Sequence, residues 1–249
     1  MKTIEFGKEN KEVMIFLHGG GLSWWNYKEV ASYLEKDYHV ILPVLDGHGD
    51  SNHSFKSIEE NALEIIDFID KNYNGQVLLL GGVSLGAQIV VEICSKRKEI
   101  CKFAIIESAL VIPMKLTNLF IKPMLDLSYP FIKKEWFSKL QFDSLKIKKE
   151  YYEDYYRDTC KISKEDMISF MKANSMYSIK EELKNTNSKV MIVVGEKELS
   201  EMKQSAYQLN QLIPNSHLEI KKKMVHGEFS MNHSKEYVEM INKIIQGAI

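Results

Sequence analysis

Little in this chain marks it for a special environment. Only three cysteines, Cys94, Cys101 and Cys160, stand among 249 residues. Their odd number and irregular spacing argue against a disulfide framework and against a cysteine-built zinc site. No apolar run approaches the roughly eighteen residues that a membrane helix needs, and Met1 to Phe6 holds no apolar core of signal-peptide length. Formal net charge is -1, so the chain as a whole is not drawn to nucleic acid or to an anionic surface. The run Lys221-Lys222-Lys223 reads as solvated surface. No internal repeat or low-complexity linker divides the sequence. The expected compartment is a reducing cytoplasm. Neither nucleic acid nor a membrane is an expected partner, and the oligomeric state is open.

What is present is ordinary in amount: 45% hydrophobic and 27% charged residues, in a length that suits one domain, 1–249. Its order is more informative. Ile4–Phe6 and Val13–Leu17 read as short strands around a polar turn. Val40–Pro43, Val77–Leu80, Phe103–Ile106, Val190–Val194 and His217–Ile220 are further aliphatic runs of strand length. Near-continuous apolar strands suit a parallel sheet covered on both faces. Helical patterns lie between them. Ser57-Ile58-Glu59-Glu60 is a capping box opening a helix with Ile58, Ala62, Ile65, Ile66 and Ile69 on one face. Leu85–Ile93 reads as a buried helix, and Ser234 as the cap of a final helix carrying Tyr237, Val238, Ile241 and Ile245. Strand, helix and strand in turn predict a doubly wound, mostly parallel α/β sheet.

Residues 109–183 break that rhythm. They offer no strand, are rich in Met, Phe, Tyr and Lys, and contain Pro113, Pro123 and Pro130, which predict a series of short helices. The segment reads as a helical insertion over one end of the sheet.

Gly82-Val83-Ser84-Leu85-Gly86 fits G-x-S-x-G, a pattern that is weak alone and strong between a strand and a helix. The chain must turn sharply there. The central residue is then strained, and small residues two positions to either side let the backbones pass. The serine hydroxyl is lifted to the top of the sheet, beside a helix N-terminus that favours developing negative charge.

Three more motifs fall into order: His18-Gly19-Gly20-Gly21 after the strand ending at Leu17, Asp46-Gly47-His48-Gly49-Asp50-Ser51 after the strand ending at Pro43, and His226-Gly227 after the last strand. With the serine turn, the chain resembles the α/β-hydrolase superfamily over nearly its whole length. Its nearest look is to small esterases, lipase-like enzymes and C–C hydrolases with a helical lid. The resemblance implies Ser84 as nucleophile and His226 as base, with His233 as the rival histidine. It implies an oxyanion hole from the backbone N–H of Gly20, or its neighbour Gly19, and of Leu85. His18 and the Asp46–Ser51 turn are then structural. The family acid follows the strand before the base strand, usually as aspartate in Gly-x-x-Asp. Here that position, in Gly195-Glu196-Lys197-Glu198, is Glu198. Glu107, just past Phe103–Ile106, is the alternative.

The implied chemistry is hydrolysis of a partly hydrophobic small-molecule ester through an acyl-enzyme, without metal or cofactor. Acyl transfer, thioester hydrolysis and C–C cleavage use the same residues. A ligand-binding relative with little turnover is the reading from another class. Phe120, Met124, Phe131, Trp136, Phe137, Met167, Phe170, Met171 and Met176 supply the lid with large apolar groups of the kind that line an acyl or alkyl pocket. Of these, Phe120, Met124, Phe131 and Trp136, with Trp24 and Trp25 after the oxyanion loop, are the expected pocket walls.

Overall fold

A computed structural model describes residues 1–248. The chain opens with β1 (Lys2–Phe6), β2 (Val13–Leu17), α1 (Lys28–Leu34), β3 (His39–Val44), α2 (Ile58–Tyr73), β4 (Val77–Val83), α3 (Leu85–Lys96) and β5 (Cys101–Glu107). Four helices follow without a strand: α4 (Lys115–Ile132), α5 (Glu135–Leu145), α6 (Tyr152–Thr159) and α7 (Lys164–Met176). The sheet resumes with β6 (Lys189–Gly195), α8 (Ser200–Leu212), β7 (Ser216–Lys221), α9 (Glu228–Asn232) and α10 (Ser234–Ile245).

The seven strands lie in the order β1-β3-β2-β4-β5-β6-β7. All neighbours are parallel except β1, which runs antiparallel to β3. The two opening strands therefore do not pair with each other; β3 lies between them. Strands β2 to β4 are buried along their whole length because helices cover both faces. One core, with Ile15, Leu80, Ile89 and Leu209, packs α2, α3 and α8 on one face. The other, with Phe16, Tyr27, Tyr237 and Ile241, packs α1 and α10 on the opposite face.

Of the predicted capping box the N-cap half forms: Ser57 Oγ accepts the Glu60 N–H at 3.0 Å, while no bond returns from the Glu60 side chain to the Ser57 N–H among the described residues. Two local expectations fail. Ser234 is the first residue of α10 and not its cap; its single hydroxyl proton is shared between Glu29 Oε2 at 3.0 Å and the Ser230 carbonyl at 3.2 Å. Pro123 and Pro130 do not divide α4, which runs eighteen residues through both. They stand seven positions apart on its exposed side, so the carbonyls they leave unpaired meet water. The opposite stripe, Ile121, Leu125 and Ile132, stays packed.

The α4–α7 segment is anchored to the sheet by buried polar bonds. Gln88 Nε2 on α3 donates to the carbonyls of Leu110 (2.6 Å) and Asn174 (2.9 Å), and Asn174 Nδ2 returns a bond to Gln88 Oε1. The Tyr177 hydroxyl meets Glu92 Oε2 at 3.0 Å. Trp25 donates its indole N–H to Asp158 Oδ2 at 3.1 Å.

Candidate active site

Ser84 joins β4 to α3 with φ 54° and ψ −117°, a backbone conformation costly for any residue with a Cβ. Its N–H donates to the Glu107 carbonyl at 2.9 Å, and its carbonyl accepts the Gln88 N–H at 3.0 Å. The flanking glycines are sterically required. A Cβ on Gly82 would lie 2.5 Å from the Gly86 carbonyl, and one on Gly86 would lie 2.1 Å from the Leu17 carbonyl oxygen. Strand and helix cross too closely for a side chain at either place.

Gly19 and Gly20 face this turn from the end of β2. Gly19 donates its N–H to Asn26 Oδ1 at 3.1 Å. Of the two glycines, this leaves Gly20 with a free N–H among the described residues. The N–H of Leu85, first residue of α3, has no intrahelical acceptor. His18 holds the loop from beneath: Nδ1 donates to the Gly19 carbonyl at 2.8 Å, and Nε2 accepts the Leu45 N–H at 3.1 Å. Full burial, with the His48 ring nearby, pushes its pKa down to about 3, so His18 stays neutral.

Past β7, His226 stands before Gly227, whose φ of 66° reverses the chain into α9. Its Nδ1 lies 2.8 Å from Glu198 Oε2, in the turn after β6. Glu198 is buried and well supplied with donors: Oε1 accepts from the Gly195 N–H at 2.6 Å and from the Ser108 hydroxyl at 2.7 Å. Burial alone would raise its carboxyl. The bonds from His226, Gly195 and Ser108 outweigh that and hold it below its ordinary value. Ser108, with φ 55°, also accepts the Gly227 N–H at 3.3 Å. Sequence reasoning missed Ser108. The signal available was position alone, one residue beyond Glu107 at the end of the neighbouring strand.

The rival residues lie elsewhere. Glu107 is buried, with Oε1 accepting the Ser230 N–H at 3.2 Å and Oε2 without a protein partner among the described residues. Glu196, the other carboxylate of the Gly195–Glu198 turn, accepts the Lys223 N–H at 2.7 Å. His233 faces Glu236 at 3.2 Å.

Two cavities meet at Ser84. The larger, about 420 Å³, is bounded by Gly20, Leu110, Met114, Ile121, Met167, Phe170 and Met171, with Thr117, Gln141, Ser144, Tyr155, Thr159 and Asn174 as polar wall groups. Among the described residues no charged side chain borders it. The smaller, about 90 Å³, contains His226 in its wall with Leu22, Asn26, Leu145, Ile147 and Met231. The Asn26 Nδ2 is buried there without a protein partner among the described residues. A third cavity, about 450 Å³, opens near Lys189 and Ser216 at the starts of β6 and β7, the wrong end of a parallel sheet for this chemistry.

None of the six expected wall residues borders the chamber. Trp25 is fully buried, stacked on Tyr151 at 5.7 Å, and Trp24 packs beside it. Phe120, Met124, Phe131 and Trp136 are exposed on the outside of α4 and α5. The helix face that lines the chamber is the one carrying Thr117 and Ile121. Of the apolar lid residues expected to line an acyl pocket, Met167, Phe170 and Met171 of α7 do so. Phe170 is packed on His48, with ring centroids 4.5 Å apart.

Known proteins place this geometry. The chain superposes on MenH from S. aureus with a TM-score of 0.78 at 21% identity, covering 99% of this chain and 97% of that one. It superposes on a thermophilic esterase from Thermogutta terrifontis with a TM-score of 0.79 at 13% identity, covering 99% and 93%. At these identities the likeness is one of fold. A probable alcohol acetyltransferase from Cyberlindnera fabianii is 30% identical over 100 residues, which span 39% of this chain and 27% of that protein. Residues 8–230 match the family described as serine aminopeptidase S33, and the chain belongs to that family of α/β hydrolases.

Proposed function

We propose that this protein is a serine carboxylic-ester hydrolase working through an acyl-enzyme. Ser84 is the nucleophile, His226 the general base and Glu198 the carboxylate that orients the imidazole. The observation that carries the reading is the 2.8 Å bond from His226 Nδ1 to buried Glu198, on a ring that shares a pocket wall with Ser84. A carboxylate at Nδ1 fixes the proton there, which leaves Nε2 as the basic nitrogen and stabilises the imidazolium that forms.

In the first half-reaction Ser84 Oγ bonds to the ester carbonyl carbon and its proton passes to His226 Nε2. The carbonyl oxygen becomes an oxyanion, met by the N–H groups of Gly20 and Leu85, each worth on the order of 10²–10³ in rate. Collapse breaks the carbon–alkoxide bond, and the alkoxide leaves with the proton from Nε2. Water then repeats the sequence on the acyl-enzyme and releases the carboxylic acid.

Residues 109–183 act as the lid, and the 420 Å³ chamber beneath them takes the acyl group. The alcohol departs through the smaller space beside His226. With no charged side chain on the chamber wall among the described residues, the acyl group is uncharged and partly apolar; a free α-ammonium would find no carboxylate there. A series of p-nitrophenyl esters of rising chain length tests this. Ser84→Ala should lower kcat by at least about 10³. Activity within tenfold of wild type would refute the assignment.

A second reading, transfer of the acyl group to an alcohol, draws on two observations: the stretch shared with a probable alcohol acetyltransferase, and the apolar wall of Leu22, Ile147 and Met231 beside His226. Added short alcohols would then divert the acyl-enzyme to new esters. Product ratios unchanged by alcohol would exclude it.

A further inference from the structure

Helix α4 is apolar on two faces. One stripe, Ile121, Leu125 and Ile132, is packed against the protein. A second, Leu116, Phe120, Met124, Leu127 and Phe131, recurs at intervals of four, four, three and four residues and faces solvent throughout. Leu116 is 71% exposed and Leu127 77%. Trp136, 62% exposed at the start of α5, extends the stripe, with its ring 6.1 Å from that of Phe131. A continuous apolar surface of this extent is unusual on a protein that meets only water.

Charge says what it meets. Residues 115–139, which form this surface, contain five lysines and two carboxylates, a net of three positive charges in a chain whose total is -1. Lys122 and Lys139 pair within their own helices. Lys115, Lys133 and Lys134, at the two ends of the stripe, have no carboxylate partner among the described residues. An apolar helical face with a tryptophan and flanking lysines matches the headgroup boundary of an anionic bilayer. A second copy packed across a twofold axis would set these lysines against their own images.

We propose that the outer face of α4 and the start of α5 form a docking surface for anionic lipid bilayers, with the apolar stripe entering the headgroup region and the lysines meeting lipid phosphates. This is peripheral association; no helix among the described residues is long and apolar enough to cross a membrane. The surface backs onto the larger cavity, because Thr117 and Ile121 on the same helix line it. The proposal does not depend on which ester is cleaved.

Flotation of the full chain tests it, with vesicles of phosphatidylcholine alone and of phosphatidylcholine mixed equally with phosphatidylglycerol. The protein should float with the mixed vesicles, and Trp136 emission should shift to the blue. Binding should weaken with added salt, as screened charge requires. The double variant Leu116→Glu/Leu127→Glu should reduce binding by about tenfold or more, while its turnover of a soluble short ester stays that of wild type. The paired variant Lys133→Glu/Lys134→Glu, which leaves the apolar stripe intact, should lose the preference for phosphatidylglycerol. Failure to float with either vesicle, or binding unaffected by the two leucine changes, would overturn the proposal. So would sedimentation showing a wild-type dimer that the leucine changes convert to monomer, since the occupant would then be a second copy.

Discussion

Glu107→Gln separates two roles that a buried carboxylate near this site could have. Glu107 lies at the end of β5 beneath the His226 loop, fully enclosed. Its surroundings are the Ser230 N–H, the buried hydroxyls of Tyr27, Tyr237 and Ser230, and, farther off, Glu198 and His226. Burial drives its carboxyl from an ordinary 4.5 up to about 7; the Ser230 N–H bond opposes the rise and the Glu198 charge adds to it. Tyr27 and Tyr237 are themselves pushed upward by burial, so both stay protonated. In the unfolded chain Glu107 ionises near its ordinary value, while in the folded protein it keeps its proton to about 7. Between those values the unfolded state binds fewer protons, so this group makes stability fall as pH rises from about 4.5 to 7, and level off above. The gap corresponds to about 3 kcal/mol.

Glutamine has the same shape and no charge to lose. Its contribution is therefore flat with pH, and the stability of Glu107→Gln relative to wild type should improve by about 3 kcal/mol between pH 4.5 and 8. For a chain of this length that is a relative Tm gain of roughly 6–12 °C. Urea unfolding of both proteins across that range measures the difference. Parallel curves for the two would refute the claim that Glu107 is held neutral by its site. The same preparations report on catalysis. If Glu198 is the acid, kcat of Glu107→Gln stays within about tenfold of wild type; a folded but inactive variant would move the acid to Glu107.

Three further outcomes follow from the site. Glu198→Gln removes the charge that faces the imidazolium and can leave the wrong tautomer, and should lower kcat by about 10²–10⁴ with little change in KM; kinetics on a short ester measure it. Asn26→Leu frees the Gly19 N–H and loosens the oxyanion loop, and should cost about 10–10²-fold in kcat/KM; an unchanged value would show that the loop holds itself. Phe170→Ala should widen the larger cavity and shift preference toward longer acyl chains, whereas Phe120→Ala, on the outer face, should leave the chain-length profile unchanged.

The parts of this protein that were legible in the sequence are those where backbone geometry permits few residues. Gly82 and Gly86 are forced by approaches of 2.5 and 2.1 Å. Ser84 between them is then marked by position, and the strands on either side by continuous burial. The choice of Glu198 came from the resemblance, whose acid follows the strand before the base strand; in the fold β6 and β7 are neighbours, so the turns at their ends meet. Ser108 left no such mark. It is one serine among many, and only the folded turn, with φ 55°, brings its hydroxyl to both Glu198 and Gly227.

The helical segment was misread for a physical reason. A large apolar residue on a helix is expected to face inward, since burying it gains about 25 cal/mol per Å². That expectation assigned Phe120, Met124, Phe131 and Trp136 to the cavity wall. On α4 the inward face is held by Ile121, Leu125 and Ile132, one residue along from each member of most of the outer stripe, or about 100° around the axis. Sequence alone does not say which of two apolar stripes a helix turns inward. Packing decides it: α4 lies against α7, where the branched side chains fit and Thr117 completes the cavity wall. The stripe left outside remains costly to expose to water, and the lysines at its ends are what a surface of opposite charge would meet.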